Sequence, residues 1–219
     1  MKEVQVWDSL VRIIHWGLAL SILGAVSTAE FDSLMVIHVW FGSVAVLLVV
    51  TRLMWGFFGP PQARFSSFLK SPRVVLDYLR DMAQHKAPRT LGHNPAAGWV
   101  MTAMLGLVIL ITVSGLPALA GQEHQMGPLV GRIGFRLAKM FEEVHEVLSG
   151  FLAVLVAMHL VGIVVHGVLH RENIVRSMIN GRKQAEPGDP AGDMPPAKGM
   201  AFRVVLSVIP AVLLAAWLL

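Results

Sequence analysis

Five apolar runs, each about as long as a bilayer is thick, constrain this chain more than any other feature. A membrane-spanning helix needs about 20 predominantly apolar residues, and runs of this kind cover residues 13–29, 34–58, 96–119, 144–169 and 204–219. Hydrophobic residues make up 55% of the 219 residues and charged residues 15%. The mean hydropathy of +0.63 lies outside the range of ordinary soluble domains. We therefore expect an all-α, multi-pass membrane protein.

A change in composition separates the fifth run from the other four. Four prolines and four glycines lie between residues 181 and 199, where few residues are apolar, and this composition is typical of a flexible linker. The sequence predicts a transmembrane four-helix bundle over residues 1–180, a linker over 181–200, and an additional C-terminal transmembrane helix over 201–219.

The basic residues indicate how the chain is oriented. Lys2 and Arg12 precede or begin the first run, and further Lys and Arg residues fill the second connection and the segment after the fourth run. The first loop carries Glu30 and Asp32 and no base, and the third connection carries only three bases. Since short cytoplasmic loops are enriched in Lys and Arg, we expect a cytoplasmic N-terminus in a bacterial inner membrane. The basic pI of about 9.9 then reflects topology, and no nucleic acid is expected as a partner.

The first run has a second interpretation. It ends in Ser27, Thr28 and Ala29 before an acidic residue, which resembles a signal peptidase site. Cleavage there would remove His15. We take the segment as a retained span and keep cleavage as the alternative.

Four histidines, His15, His38, His145 and His159, lie within the first, second and fourth runs at matching depths. His145 and His159 are fourteen residues apart, so on one helix they face the same way about 21 Å apart. His15 lies near the cytoplasmic start of the first span and His38 near the periplasmic start of the second. Matching these depths pairs His38 with His145 and His15 with His159. Ionisable groups inside a membrane indicate function, and two stacked pairs are typical of two bis-histidine haem sites.

The absence of cysteine narrows the redox chemistry. Without cysteine the chain has no thiolate for an iron–sulfur cluster, for covalent haem attachment or for thiolate-ligated haem. Histidine-ligated, non-covalent haem is the redox group most compatible with these residues. Zinc or copper transport is the chemical rival, although it usually brings acidic or sulfur ligands into the spans.

Three other residues give weaker indications of a site at the cytoplasmic surface. His166 follows His159 by one heptad, and His93 and Asn94 belong to a turn in which Asn94 is placed to cap the third span. Residues 72–82 read as an amphipathic interfacial helix beside that turn. We take His93, Asn94 and His166 as a quinone or haem-propionate region, with capping and helix packing as the structural alternative.

Six stretches together resemble a known family. They are residues 6–16 (VWDSLVRIIHW), 37–42 (IHVWFG), 52–60 (RLMWGFFGP), 92–95 (GHNP), 144–150 (VHEVLSG) and 158–173 (MHLVGIVVHGVLHREN). The chain is similar, over roughly residues 4–184, to the bacterial di-haem cytochrome b family. That family includes the stand-alone cytochrome b561 type and the membrane subunits of nickel–iron hydrogenases and formate dehydrogenases. The fifth run departs from the simplest four-helix members.

The resemblance implies a function and partners. It implies two haem b groups, one on His38 and His145 at the periplasmic side and one on His15 and His159 at the cytoplasmic side. It also implies electron transfer between quinone and a periplasmic partner, either a c-type cytochrome or an oxidoreductase subunit. Whether the chain is itself an enzyme, and whether it forms a homodimer, stays open. The alternatives are a superoxide or other small-molecule:quinone oxidoreductase and a haem-free membrane anchor or metal transporter.

Overall fold

The computed structural model describes residues 2–121, 126–185, 204, 205, 207–209 and 212. Its elements are, in chain order, β1 (Lys2–Gln5), α1 (Ser9–Thr28), α2 (Met35–Phe58), α3 (Phe65–Phe68), α4 (Pro72–Ala83), α5 (Pro95–Ala120), α6 (Phe135–His170), α7 (Ile174–Asn180) and β2 (Arg182–Ala185). Short 3₁₀ turns at Asp32–Leu34 and Pro61–Ala63 join neighbouring helices.

Four of these helices are long and apolar enough to cross a membrane. They are α1, α2 with its preceding turn, α5 and α6, which confirms the first four expected spans. The expected fifth span is described only at residues 204, 205, 207–209 and 212, which are helical. The rest of that span, and the linker from residue 186 onward, lie outside the described residues.

The four spans form a bundle of two antiparallel hairpins. α1 packs against α2 and α5 packs against α6, while α2 and α5 form the main helix contact between the hairpins. The bundle core contains Val49 of α2, Leu105 and Val108 of α5, and Leu152 of α6, all buried. Many apolar side chains on the opposite face of α6, such as Val154 and Val161, are exposed, as expected for a helix that faces lipid.

The α6 helix is longer than its apolar run. It has 36 residues and begins at Phe135, nine residues before the expected start of the fourth span. At 1.5 Å per residue it is about 54 Å long, whereas a hydrocarbon core is about 30 Å thick. The added turns carry charged residues such as Lys139 and Glu142, which form an exposed ion pair. The helix thus begins earlier than the apolar run predicts, because hydropathy locates the membrane segment and not the whole helix.

A small antiparallel sheet covers the end of the bundle where the chain begins. β1 pairs with β2 in the register Lys2 to Ala185 and Gln5 to Arg182. The backbone N–H groups of Val6 and Trp7 both donate to the Gly181 carbonyl, and Gly181 adopts φ +80°, a conformation that favours glycine. Residues 182–185 of the expected linker therefore form an ordered strand. We call this end of the bundle, which also holds α3, α4 and α7, the N-terminal end, and the opposite end the far end.

The segment between α2 and α5 contains the expected amphipathic helix. α4 covers Pro72–Ala83 and packs against α5. Tyr78 is its buried residue, and burial raises the pKa of its hydroxyl group. Val74 and Leu76 are exposed, so part of the apolar face of α4 points away from the bundle.

Candidate functional site

The structure brings four histidines together in two pairs. The ring centres of His38 and His145 are 6.1 Å apart, and those of His15 and His159 are 6.2 Å apart. We call His38 and His145 the distal pair and His15 and His159, which lie nearer the N-terminal end, the proximal pair. α6 supplies one histidine to each pair, fourteen residues or about 21 Å apart along its axis.

The spacing within each pair suits a single metal ion held between two imidazoles. A metal–imidazole bond is about 2 Å long, and two such bonds fit between rings whose centres are 6.1 and 6.2 Å apart. The described residues contain no group of three or more His, Cys, Asp or Glu side chains placed to hold a metal ion. Two protein ligands for each metal are what a haem group requires, because its macrocycle supplies the others.

Backbone carbonyl groups fix the orientation of both distal histidines. The Nδ1 atom of His38 lies 2.9 Å from the carbonyl oxygen of Ala25, and that of His145 lies 2.8 Å from the carbonyl oxygen of Ile111. An Nδ1–H group that donates to a carbonyl leaves Nε2 unprotonated and available as a metal ligand. Both rings are therefore held in the tautomer that a haem site needs.

Two glycines leave space for side chains near the distal pair. A methyl group added to Gly115 of α5 would lie 2.9 Å from Nδ1 of His145, whereas one added to Gly42, one turn from His38, would meet nothing within 4 Å. The ring of His145 thus packs directly against the α5 backbone. Open space lies beside Gly42.

The proximal pair has a different environment. Nδ1 of His15 is buried and has no hydrogen-bond partner among the described residues. Trp16 stacks edge-on against His15 with ring centres 5.1 Å apart, and its indole N–H donates to the carbonyl oxygen of Met178. The ring of His15 is therefore positioned by packing, while the distal rings are positioned by hydrogen bonds.

A buried polar cluster lies where α1 begins and α2 ends. Asp8 caps α1, since its Oδ1 accepts from the backbone N–H of Val11 at 2.8 Å, and its Oδ2 accepts from the indole N–H of Trp55 at 3.1 Å. Arg52, one turn before Trp55, is 4% exposed. Its guanidinium group lies over the ring of Phe65, 5.2 Å from the centroid.

His93 and Asn94 occupy the turn before α5. The His93 ring contacts Trp7 and Phe68, with ring centres 4.7 and 4.5 Å apart. Burial, and then the positive charge of Arg52, lower the pKa of His93 to about 3, so His93 is neutral at physiological pH. The Asn94 side chain accepts from the backbone N–H of Ala97 at 2.8 Å and thereby caps α5, as the structural alternative expects.

His166 lies in a charged cluster at the end of α6. It is 8% exposed, its ring centre is 4.4 Å from that of His170, and its Nε2 is 3.6 Å from Oε2 of Glu172. Glu172 also pairs with Arg89 and with Lys183 at 3.0 Å. These two cations lower the pKa of Glu172 in spite of its partial burial. The cluster connects the end of α6 with β2 and with the segment that precedes α5.

The sequence alone indicates no site role for Asp8, Arg52 or Trp55. Asp8 could have been found as an N-cap, because an Asp directly before an apolar-periodic segment is a standard helix start. The hydrogen bond from Trp55 to Asp8 joins residues 47 positions apart, and no local pattern predicts such a contact.

Comparison with known proteins gives one family and two relatives. The family model described as prokaryotic cytochrome b561 matches residues 6–181. A probable Ni/Fe-hydrogenase B-type cytochrome subunit of Rhizobium leguminosarum bv. viciae is 23% identical over 214 residues, covering 83% of this chain and 89% of the relative. A protein of the same description from Bradyrhizobium diazoefficiens is 26% identical over 213 residues, covering 83% and 86%. No solved structure gives a significant match.

Proposed function

The chain belongs to the prokaryotic cytochrome b561 family, and from that premise we propose that it carries electrons across the membrane between quinone and a partner oxidoreductase through two haem b groups. As a member of this family it is a multi-pass b-type cytochrome that acts in electron transfer. The observation that carries the proposal is the stacking of two histidine pairs along α6.

Each histidine pair has a defined task in this proposal. Haem b held between two imidazoles supplies a one-electron couple without an open coordination position for oxygen chemistry. His38 and His145 hold the distal group with Nδ1 donating to backbone carbonyl groups. His15 and His159 hold the proximal group. The bundle core keeps water out of the layer between the two pairs.

The distribution of charge supports a cytoplasmic N-terminal end. Exposed bases lie there on α4, on α7 and on β2, whereas the turn between α1 and α2 at the far end carries Glu30 and Asp32. With short cytoplasmic loops enriched in Lys and Arg, the distal pair lies toward the periplasm of a bacterial inner membrane. The names of the two relatives support an oxidoreductase subunit as the partner, docked at the far end.

An apolar cleft supports a quinone site at the N-terminal end. It has a volume of about 260 Å³ and is lined by Met82, His85, Val164, Val165, Val168 and Leu169. These residues belong to the end of α4 and the last turns of α6, on the segment that also carries His166. A flexible, mostly apolar isoprenoid quinone suits such a cleft at the edge of the bundle. His93 and His166 do not line the cleft, but both lie at this end of the bundle, and we expect them to act on the quinone oxygens.

The first experiment counts haem and measures quinol reactivity in the same purified protein. Pyridine haemochrome analysis should give two haem b per chain. His93→Ala and His166→Ala should slow haem reduction by quinol without removing either haem from the visible spectrum. Glu143→Gln, an exposed change near the far end of α6, is the control and should leave quinol kinetics unchanged. One haem or none per chain would refute the two-haem proposal, and normal quinol kinetics in both histidine variants would refute the quinone site.

A further inference from the structure

Arg52 is a buried cation whose charge is not matched by its contacts. It is 4% exposed within a membrane-spanning helix. Its NH1 atom has no hydrogen-bond partner among the described residues, and its NH2 atom has only a 3.9 Å contact with the sulfur of Met101. A buried charge without a hydrogen-bonded partner is strongly unfavourable. An anionic group that completes the site is therefore expected.

The carboxylate of Asp8 is close enough to attract the charge of Arg52, but it forms no hydrogen bond with the guanidinium group among the described residues. The two oxygens of Asp8 already accept from the backbone N–H of Val11 and from the indole of Trp55. The other neighbours are the rings of Phe65 and Phe68, whose centroids are 5.2 and 6.0 Å from the guanidinium carbon. These rings stabilise a cation by cation–π attraction but leave the N–H groups of NH1 free to donate.

The position of Arg52 places it beside the proximal pair. α1 and α2 pack with Gly17 against Leu48 and with Asp8 bonded to Trp55. This register puts His15 level with residues 48–50 of α2. Arg52 therefore lies about 3–6 Å closer to the N-terminal end, measured along the helix axis.

His159, the other histidine of the proximal pair, lies at a similar level along the bundle axis. His145 contacts Ile111 and Gly115 of α5, and in the antiparallel α5–α6 hairpin this puts His159 level with residues 97–101 of α5, a range that includes Gly98. Gly98 packs on Phe68, one of the two rings against Arg52. Arg52 is thus at the N-terminal side of the space between His15 and His159.

We propose that the Arg52 guanidinium binds a propionate carboxylate of the haem held by His15 and His159. Haem b carries two propionates, and a guanidinium group binds a carboxylate through two parallel N–H···O bonds. Phe65 and Phe68 hold the guanidinium plane, and NH1 is the donor that the propionate satisfies. This inference rests on the proposed haem site and adds a binding residue to it.

The test begins with the wild-type holoprotein. A redox titration should resolve two haem components, which His15→Ala and His38→Ala assign to the proximal and distal pairs. Arg52→Gln should lower the midpoint potential of the proximal component, because loss of a nearby positive charge disfavours the electron-richer reduced form. The distal potential should not move. Arg52→Lys keeps the charge but not the two parallel bonds, and should give a smaller shift. Arg80→Gln, which removes an exposed arginine on α4, is the control.

Infrared spectroscopy identifies the anion. In redox difference spectra of protein whose haem propionates carry ¹³C carboxylates, a labelled band assigned to the proximal haem should move in Arg52→Lys and Arg52→Gln. In the wild type that band should have the frequency of an ion-paired carboxylate. Unchanged potentials in both Arg52 variants, or wild-type propionate bands that all match water-exposed carboxylates, would overturn the proposal. A wild-type protein without two haems would instead refute the proposed function.

Discussion

The two histidine pairs have the same spacing but are held in different ways. The distal rings donate to the carbonyl oxygens of Ala25 and Ile111, so the backbone sets their orientation. Around the proximal pair lie side chains: Trp16 against His15, and the buried Arg52 at the end of α2. A backbone carbonyl cannot be removed by substitution, whereas each side chain can be. We infer that the distal site is geometrically fixed and that the proximal site is the one whose properties side chains adjust.

The largest expected effect is the loss of one haem when a histidine of either pair is replaced. His38→Ala and His145→Ala should each abolish the distal haem and leave much of the proximal one, because the iron loses one of its two protein ligands. His15→Ala and His159→Ala should do the reverse. Redox-resolved visible spectra and haem content measure this, with His170→Ala, also on α6, as the control. Loss of the same redox component in His38→Ala and His15→Ala would show the pairing to be wrong.

A glycine substitution should affect the distal pair alone. In Gly115→Ala the new methyl group lies 2.9 Å from Nδ1 of His145, so the ring must shift away from its hydrogen bond with Ile111. Overpacking of this kind costs about 1–3 kcal/mol. We expect a weaker or shifted distal haem signal and an unchanged proximal one. Gly106→Ala on the same helix meets nothing within 4 Å and should behave as wild type. Equal spectra for the two variants would contradict the distal geometry.

The polar cluster next to the proximal pair should contribute to stability. Asp8→Ala removes the α1 cap and the acceptor for Trp55, a loss of about 1 kcal/mol for the cap and about 1 kcal/mol for the hydrogen bond. Trp55→Phe removes only the hydrogen bond between Trp55 and Asp8. Thermal unfolding in detergent should rank wild type above Trp55→Phe and Trp55→Phe above Asp8→Ala. An Asp8→Ala protein as stable as wild type would show that the cluster does not hold this end together.

The smallest expected effect is a pH dependence at the N-terminal end. The pKa of Glu172 is lowered in the folded protein, so its stabilisation is complete above the ordinary value of 4.5 and is lost as the pH falls below it. After solvent screening it amounts to less than about 1 kcal/mol. The difference in unfolding temperature between wild type and Glu172→Gln should shrink from pH 7 to pH 4. His93 contributes equally to both proteins and cancels, so the difference reports Glu172 together with its partners Arg89, Lys183 and His166. A constant difference would contradict the lowered pKa.

Several parts of this fold can be predicted from the sequence, because they depend on patterns within a single segment. The four spans follow from apolar runs, and the two histidines of α6 share a face because fourteen residues make nearly four turns. The start of α6 at Phe135 does not follow from the apolar run, because the first turns of the helix carry charged residues and precede that run. The strand Arg182–Ala185 was assigned to a linker, since four residues give too short an alternation to detect. Contacts such as Asp8 to Trp55 depend on how α1 meets α2, which no single segment encodes.

The pairing of β1 with β2 also fixes an order of events during synthesis. Lys2 and Ala185 are partners in one sheet, yet nearly the whole bundle separates them along the chain. The first strand must therefore wait until residue 185 has left the ribosome, by which time all four spans have been made. Closing so long a loop is slow but costs little once the bundle has brought its ends together. The sheet therefore forms late, after the four spans have been inserted, and joins the two ends of the bundle segment.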